Sequence, residues 1–481
     1  MENIKCGKFM AIIPQYFVKV YSEGLGRIPA VQEFGDIYNL HGYKPCTREE
    51  LLTVAQKVLL SPEAGASQHS VRQRVRAIYR VMLNRDPDQG GWDYFTTRPL
   101  ASTISEISVS SEYGQMVSKI CSSSQRYGFG VTPLSGITLT ANQLQIRLNA
   151  ASPGGIVELE PTDRVLVDKP VIIPQSVTLR TRGNPQNYIG QASLLREKHF
   201  QGPVVEVKQS GRLESMYVDG RLPDLGRSSL VVNGSPLSVY ESNVEITGSN
   251  AVVTGNRVFN SSGWAHIFVS PHGTPANGAV VTNNQVIGYA TDRNTTGQLL
   301  FTDGIAVGAT ATVTGNTVVD ATDVPIIAFD PYAQGNASQI GNNRILQAGN
   351  NAWYMMGTET AKATTNVPRF TGRFYDNQLQ TLGGTRARVG VFNGTRVAHG
   401  SGAWNTSSTP VFTGNYGYVN YELFGIVSDA GVVSLPNLGL NPMPFASNKG
   451  CQQQRYIQIP PTSVNAAYPA VDGCLINTGE L

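Results

Sequence analysis

Val252-Val253-Thr254-Gly255-Asn256 returns along the chain as Val280-Val281-Thr282-Asn283-Asn284, Thr312-Val313-Thr314-Gly315-Asn316, Gln339-Ile340-Gly341-Asn342-Asn343 and Arg373-Phe374-Tyr375-Asp376-Asn377. Each copy is followed by one residue and then an aliphatic one, and the closing Asn recurs every 27 to 34 residues. Two alternating apolar positions, a small turn residue and an Asn at such a period are the signature of a stacked β-solenoid. The reason is geometric, because each rung lies on the last and residues that suit one corner recur there. Asn suits a corner because its amide tolerates left-handed backbone and can bond to the Asn above and below it.

Composition agrees. The 481 residues hold 50 Gly and only 15% charged residues, which excludes a coiled coil or an acidic disordered chain. A formal charge of +3, with no dense Lys/Arg run, argues against a nucleic-acid partner. No apolar run reaches the roughly twenty residues of a membrane span. The five Cys show no CxxC and no zinc spacing, so no metal or other cofactor is expected; Cys451 and Cys474 are close enough to close a loop, as a disulfide or as two thiols. The start of the chain carries only Phe9-Met10-Ala11-Ile12-Ile13, too short for a signal-peptide core, while the overall balance is that of an extracellular or cell-surface β protein.

Residues 1–120 read as a separate helical domain. Tyr16-Phe17-Val20-Tyr21-Leu25 and Val75-Ile78-Tyr79-Met82-Leu83 fall at helical spacing. The segment is also duplicated: Tyr21, Leu25, Arg27 and Pro29 match Tyr79, Leu83, Arg85 and Pro87, with Phe34 matching Trp92. Thr47 with Glu50 and Thr103 with Glu106 read as helix caps, and Ser61-Pro62-Glu63 is echoed by Ser111-Glu112. Arg27 and Arg85 read as structural ion pairs to helix ends. On this Tyr-xxx-Leu-x-Arg-x-Pro-xxxx-aromatic pattern both copies resemble the helical module called domain of unknown function 4214. The second, Arg85-Asp86-Pro87-Asp88-Gln89-Gly90-Gly91-Trp92, is the closer copy. The resemblance implies docking by residues 14–120 to a surface or assembly partner, not chemistry.

Residues 121–135 form a linker, and Leu139-Thr140-Ala141 to Leu148 reads as a short helix closing the open end of a coil. With Arg164-Val165-Leu166-Val167 and Val177-Thr178-Leu179 after it, the chain resembles a right-handed parallel β-helix of the pectate-lyase-like superfamily over 136–400, with a terminal coil and covering tail in 401–481. The expected fold class is mainly β, a solenoid with a small α-helical N-terminal domain. This resemblance implies a polysaccharide partner and glycoside hydrolase or polysaccharide lyase chemistry. A non-catalytic surface or fibre protein, or a trimeric viral tailspike, stands as the alternative, so the chain is read as a monomer or a homotrimer.

Counting from the Asn positions places the candidate site. With Ile267, Ile305 and Ile327 inward, parity puts His266, Phe268, Trp353, Met355 and Asp330 on one outer face. The strand at Asp303 is displaced, so Asp292-Arg293-Asn294 to Gln298 must protrude beside it. Trp264, Phe268, Trp353, Tyr354, Asp292 and Arg293 are therefore the substrate-binding candidates, since aromatic faces cover pyranose rings and polar groups take their hydroxyls. Asp303, Asp323, Asp330 and His266 are the catalytic candidates: hydrolysis needs two carboxylates, and a lyase needs a base near the sugar carbon. The expected pairs are Asp303 with Asp323, or Asp330 with His266. Phe329-Asp330-Pro331-Tyr332 also resembles faintly the Asp-Pro-His segment of alginate epimerases, without its His. Asp before Gly or Pro is equally ordinary turn chemistry.

Overall fold

The computed structural model describes residues 12, 14–66, 70–121, 136–185, 188–271, 275–288, 302–329, 336–348, 352–359, 371–381, 387–394, 411–413, 415–418, 421–428 and 457–458. They fall into two compact units, 1–136 with 187–190, and 137–186 with 191–481.

The first unit holds helices α1 (Pro14–Leu25), α2 (Val31–His41), α3 (Arg48–Leu59), α4 (Pro62–Ala66), α5 (Val71–Leu83), α6 (Gln89–Phe95), α7 (Leu100–Ser108) and α8 (Ser111–Cys121). Its duplication is visible in side-chain contacts. Arg27 lies 5.5 Å from the Tyr21 ring and donates to Glu63 in the first turn of α4; Arg85 lies 5.1 Å from the Tyr79 ring and donates to Glu112 in the first turn of α8. Each guanidinium thus joins the end of one helix to the start of another, as the repeats suggested. Thr47 caps α3, but Thr103 does not cap α7. That helix starts earlier, at Leu100, because Pro99 suits the cap position, where a missing N–H costs nothing. The Thr103 hydroxyl donates to Pro99 O instead. Buried Asp86 takes both Arg76 and Arg80, and Asn84 holds left-handed backbone (φ 58°) at the end of α5. A disulfide joins Cys46, just before α3, to Cys121, the last residue of α8, over 75 residues. Cys451 and Cys474 lie outside the described residues.

The second unit is a parallel β-helix. Among the described residues its coils form three all-parallel sheets, here numbered in the order one coil visits them: nine strands in sheet 1, ten in sheet 2 and ten in sheet 3. One coil runs from Val252–Thr254 in sheet 1 through Asn256 to Arg257–Phe259 in sheet 2, then to Ala265–Val269 in sheet 3. Alternate strand residues fill one aliphatic core, including Val253, Val258, Ile267 and their equivalents on neighbouring coils.

The Asn corner is a continuous ladder. The backbone N–H and the Nδ2–H of Asn256 both donate to Oδ1 of Asn284, at 3.0 Å each. Asn284 does the same to Asn316, Asn316 to Asn343, and Asn343 to Asn377. The second Nδ2–H of each returns to a carbonyl of the coil before, as in Asn316 to Val281 O at 2.9 Å. The ladder has a sixth member, Asn415, which accepts both bonds from Asn377 and belongs to a coil made of Val411–Thr413, Tyr416–Tyr418 and Tyr421–Ser428. One expectation needs correction. Left-handed backbone is held by the residue before each Asn, namely Gly255, Asn283, Gly315, Asn342 and Asp376, all with φ of 50–69°. The ladder Asn itself is needed for its amide, since it is buried and must fill every polar valence.

Helix α9 (Ala141–Ala150) covers the first coil, as its amphipathic pattern predicts, with Ala141, Leu144 and Leu148 buried on the core. It also closes the strand edge. The Gln145 amide accepts from Ile172 N at 2.8 Å and donates to Ile172 O at 2.9 Å, replacing the neighbouring strand that Val171–Ile173 lacks on that side. Among the described residues, no helix is long and apolar enough to cross a membrane.

Candidate functional site

Sheet 3 carries His266, Phe268 and Asp303 of the candidate residues, and its register sorts the faces. Val205, Val244, Ile267, Ile305 and Ile326 lie inward, paired in sequence across the sheet. The next residue on each strand forms an outer row: Ile172, Glu206, Glu245, Phe268, Ala306, Ile327 and Gly357. Two expectations are corrected here. Ile305 pairs with Ile326, so Ile327 sits in the outer row, because the strand Ile326–Phe329 begins one residue earlier than parity counting from the Asn allowed. Met355 is fully buried in the aliphatic core, not on the outer strip.

Trp264 and Phe268 meet edge to face at 4.5 Å, and Phe268 stands one rung from Glu245. Trp353 and Tyr354 lie on the strand Ala352–Glu359, with side chains outside the described residues. Asp292, Arg293 and Asp330 are outside them altogether.

His266 meets Asp303, which was not its expected partner, through the backbone: His266 Nδ1–H donates to the Asp303 carbonyl at 2.9 Å. His266 is 2% exposed, and burial pushes its pKa down to about 4, opposed only weakly by its backbone bonds. The unfolded chain, near 6.5, therefore takes up this proton before the folded one does. Stability is full above pH 6.5 and falls as the pH drops toward 4, by about 3 kcal/mol for this group. Urea titrations at stepped pH should show that fall in the native chain and a flatter profile in His266→Gln; equal slopes would reject the assignment.

Asp303 and Asp323 lie on neighbouring coils, where Thr302 O accepts from the N–H groups of Thr322 and Asp323. Both are 5% exposed. Asp303 Oδ1 accepts from Val324 N at 3.2 Å, which is turn chemistry. Both carboxylates, with Glu241, act on the guanidinium of Arg227, whose pKa is lowered by burial and raised by these three charges. Arg227 comes from the excursion between Asp219 and Ser242, which ends in an Asn233-Gly234 hairpin with Leu230 and Val231 exposed at its tip. At the base of the excursion, fully buried Glu241 accepts from His199 Nδ1 at 3.0 Å and from Ser262 Oγ at 3.1 Å, with Arg196 Nη1 at 3.7 Å. Desolvation pushes Arg196 down to about 10, with Glu241 opposing, and the Glu241 bond raises His199. These buried charges lock the excursion against the helix.

The carboxyls that the outer row presents are Glu206 and Glu245, which sequence reasoning missed. They stand on adjacent rungs, each half-buried. Glu206 accepts from Thr247 Oγ1 at 2.8 Å and from Lys208 Nζ. The Glu245 pKa is raised, first by burial and then by the Glu206 charge, against the Ser270 bond and Lys208. The available signal was the triplet apolar-Glu-apolar, Val205-Glu206-Val207 and Val244-Glu245-Ile246, on coils that precede the Asn phrases. Among the described residues no cluster of three or more His, Cys, Asp or Glu is arranged to hold a metal ion.

No family model matches the chain, and no curated protein matches it. Among solved structures, the crystal structure of an alginate lyase from a Paenibacillus species is similar, with a TM-score of 0.41 and 13% identity over 60% of this chain and 89% of that one. A likeness this distant carries no argument about the site or its chemistry.

Proposed function

We propose that the β-helix binds a polysaccharide along the Ile172–Glu206–Glu245 end of the outer row of sheet 3, where the row is not fully buried, and cleaves or modifies it with carboxylate chemistry. The observation that carries this reading is the pair Glu206 and Glu245 on adjacent rungs, beside the Trp264–Phe268 aromatic pair. Rungs of a sheet stand about 4.8 Å apart, near the roughly 5–5.5 Å at which one carboxyl acts as acid and its neighbour as nucleophile. Differing surroundings are what set two carboxyls to different roles, and here one is desolvated while the other is bonded to a lysine and a hydroxyl.

In this reading Asp303 and Asp323 act on Arg227 and so support the wall of the groove. A second reading, binding without turnover, is favoured by the burial of Asp303, Asp323 and His266. Incubation with a panel of uronate, sulfated and neutral polysaccharides separates the two. Release of reducing ends, or of the ultraviolet absorbance of an unsaturated product, is expected from at least one; binding with no release would overturn catalysis.

The helical unit is proposed as a docking module of the domain of unknown function 4214 type, supported by its duplicated Tyr-Arg-Glu contacts. An extracellular or surface location is supported by the Cys46–Cys121 bond, since disulfides persist in oxidising compartments.

A further inference from the structure

The outer row of sheet 3 begins in a cleft of about 770 Å³, between α9 and the turns that follow the first three strands of the sheet. Its size is that of a small-ligand site. Ile172 forms part of the floor and is 36% exposed, although it occupies the same row as Glu206. A further strand is not the natural occupant. The Gln145 amide already uses the free N–H and C=O of Ile172, so no backbone edge is left there for strand addition.

The lining is rich in amides, among them Asn149, Gln175 and Gln209, and its charged groups are Lys169 and Lys208. Among the described residues no carboxylate lines it. Lys208 is balanced by Glu206 just outside, while Lys169, among the described residues, meets the neutral Asn142 Oδ1, at 3.4 Å. The cleft therefore offers an apolar floor, a ring of hydrogen-bonding amides and the positive charge of Lys169, which no described carboxylate matches. A pyranose ring has the complementary surface when it bears an anionic substituent: an apolar face for Ile172, hydroxyls for the amides, and a charge for Lys169.

We propose that this cleft is a binding subsite for an acidic sugar unit, carboxylated or sulfated, of a saccharide chain lying on the outer row. The proposal rests on the polysaccharide reading above and names the substrate class for it.

Calorimetric titration of the full chain with uronate, sulfated and neutral tetrasaccharides tests it. At least one acidic tetrasaccharide should bind, more weakly as salt rises, and which of the two binds identifies the anionic group. Lys169 is exposed, so Lys169→Glu should keep the fold, checked by its circular dichroism, and should weaken that binding at least about tenfold, roughly one good charge-assisted contact. Equal binding of the neutral tetrasaccharide, or an unchanged affinity in Lys169→Glu, overturns the assignment. If no tetrasaccharide binds while a polysaccharide of the panel is still cleaved, the cleft is not a subsite and the broader reading survives. If binding is lost in Lys169→Glu but no polysaccharide is cleaved, the subsite stands and catalysis does not.

Discussion

Asn316→Ala should lower the stability of the β-helix by about 3–9 kcal/mol, because three buried groups lose their partners at once and each such loss costs about 1–3 kcal/mol. They are the backbone N–H and the Nδ2–H of Asn284, and the carbonyl of Val281. The backbone N–H of residue 316 keeps its bond to Asn343, so the damage is confined to one side of the rung. Since a solenoid is held by nearest-neighbour interfaces, the two halves then meet across a weakened joint. Urea denaturation should show the midpoint falling while the slope stays that of the native chain. A midpoint within error of the native value would mean that the ladder is ornamental to stability.

Glu245→Gln should reduce turnover of whichever polysaccharide proves active by about 10²–10⁴-fold, the usual contribution of a positioned acid or base. The side chain keeps its shape and its place beside Phe268, so substrate affinity should change little. The pH profile carries the more specific sign. Glu245 is raised above the ordinary carboxyl range by burial and by Glu206, with Ser270 and Lys208 opposing, so a rate that needs its proton declines as pH rises through that value. Gln cannot titrate, and the alkaline limb should disappear with the activity that depends on it. Asp303→Asn is the matching control: full loss of turnover there, with Glu245→Gln unaffected, would move the chemistry to the Asp303 and Asp323 pair.

The ladder was readable from sequence because each Asn stands in the same short phrase, with an apolar pair before it. Asn415 escaped, although Val411-Phe412-Thr413-Gly414-Asn415 keeps the pattern, because its spacing from Asn377 is longer, at 38 residues. The solenoid followed from the repeated phrase, and the parallel β-helix with its capping helix α9 from that phrase together with the family resemblance. The site did not. Glu206 and Glu245 have no phrase of their own, and only register across coils puts them side by side. Ile327 was assigned inward because a one-residue shift in where a strand begins reverses every face on it. Cys46 and Cys121 were likewise silent, since a separation of 75 residues says nothing about which thiols meet. His266 was expected beside Asp330, and its contact with Asp303 went unforeseen because it runs through a backbone carbonyl, which a count of residue types does not show.

The Asn ladder fixes the coils at one corner and nowhere else. Its successive spacings are 28, 32, 27, 34 and 38 residues, while its hydrogen bonds stay at 2.8–3.0 Å throughout. Chain length is thus uncoupled from alignment: the segments that leave the other two corners can grow, shrink or be exchanged, and the strands still stack in register. For a groove whose walls are built from those segments, ligand preference becomes a property that can diverge between related chains without the scaffold having to be re-solved each time.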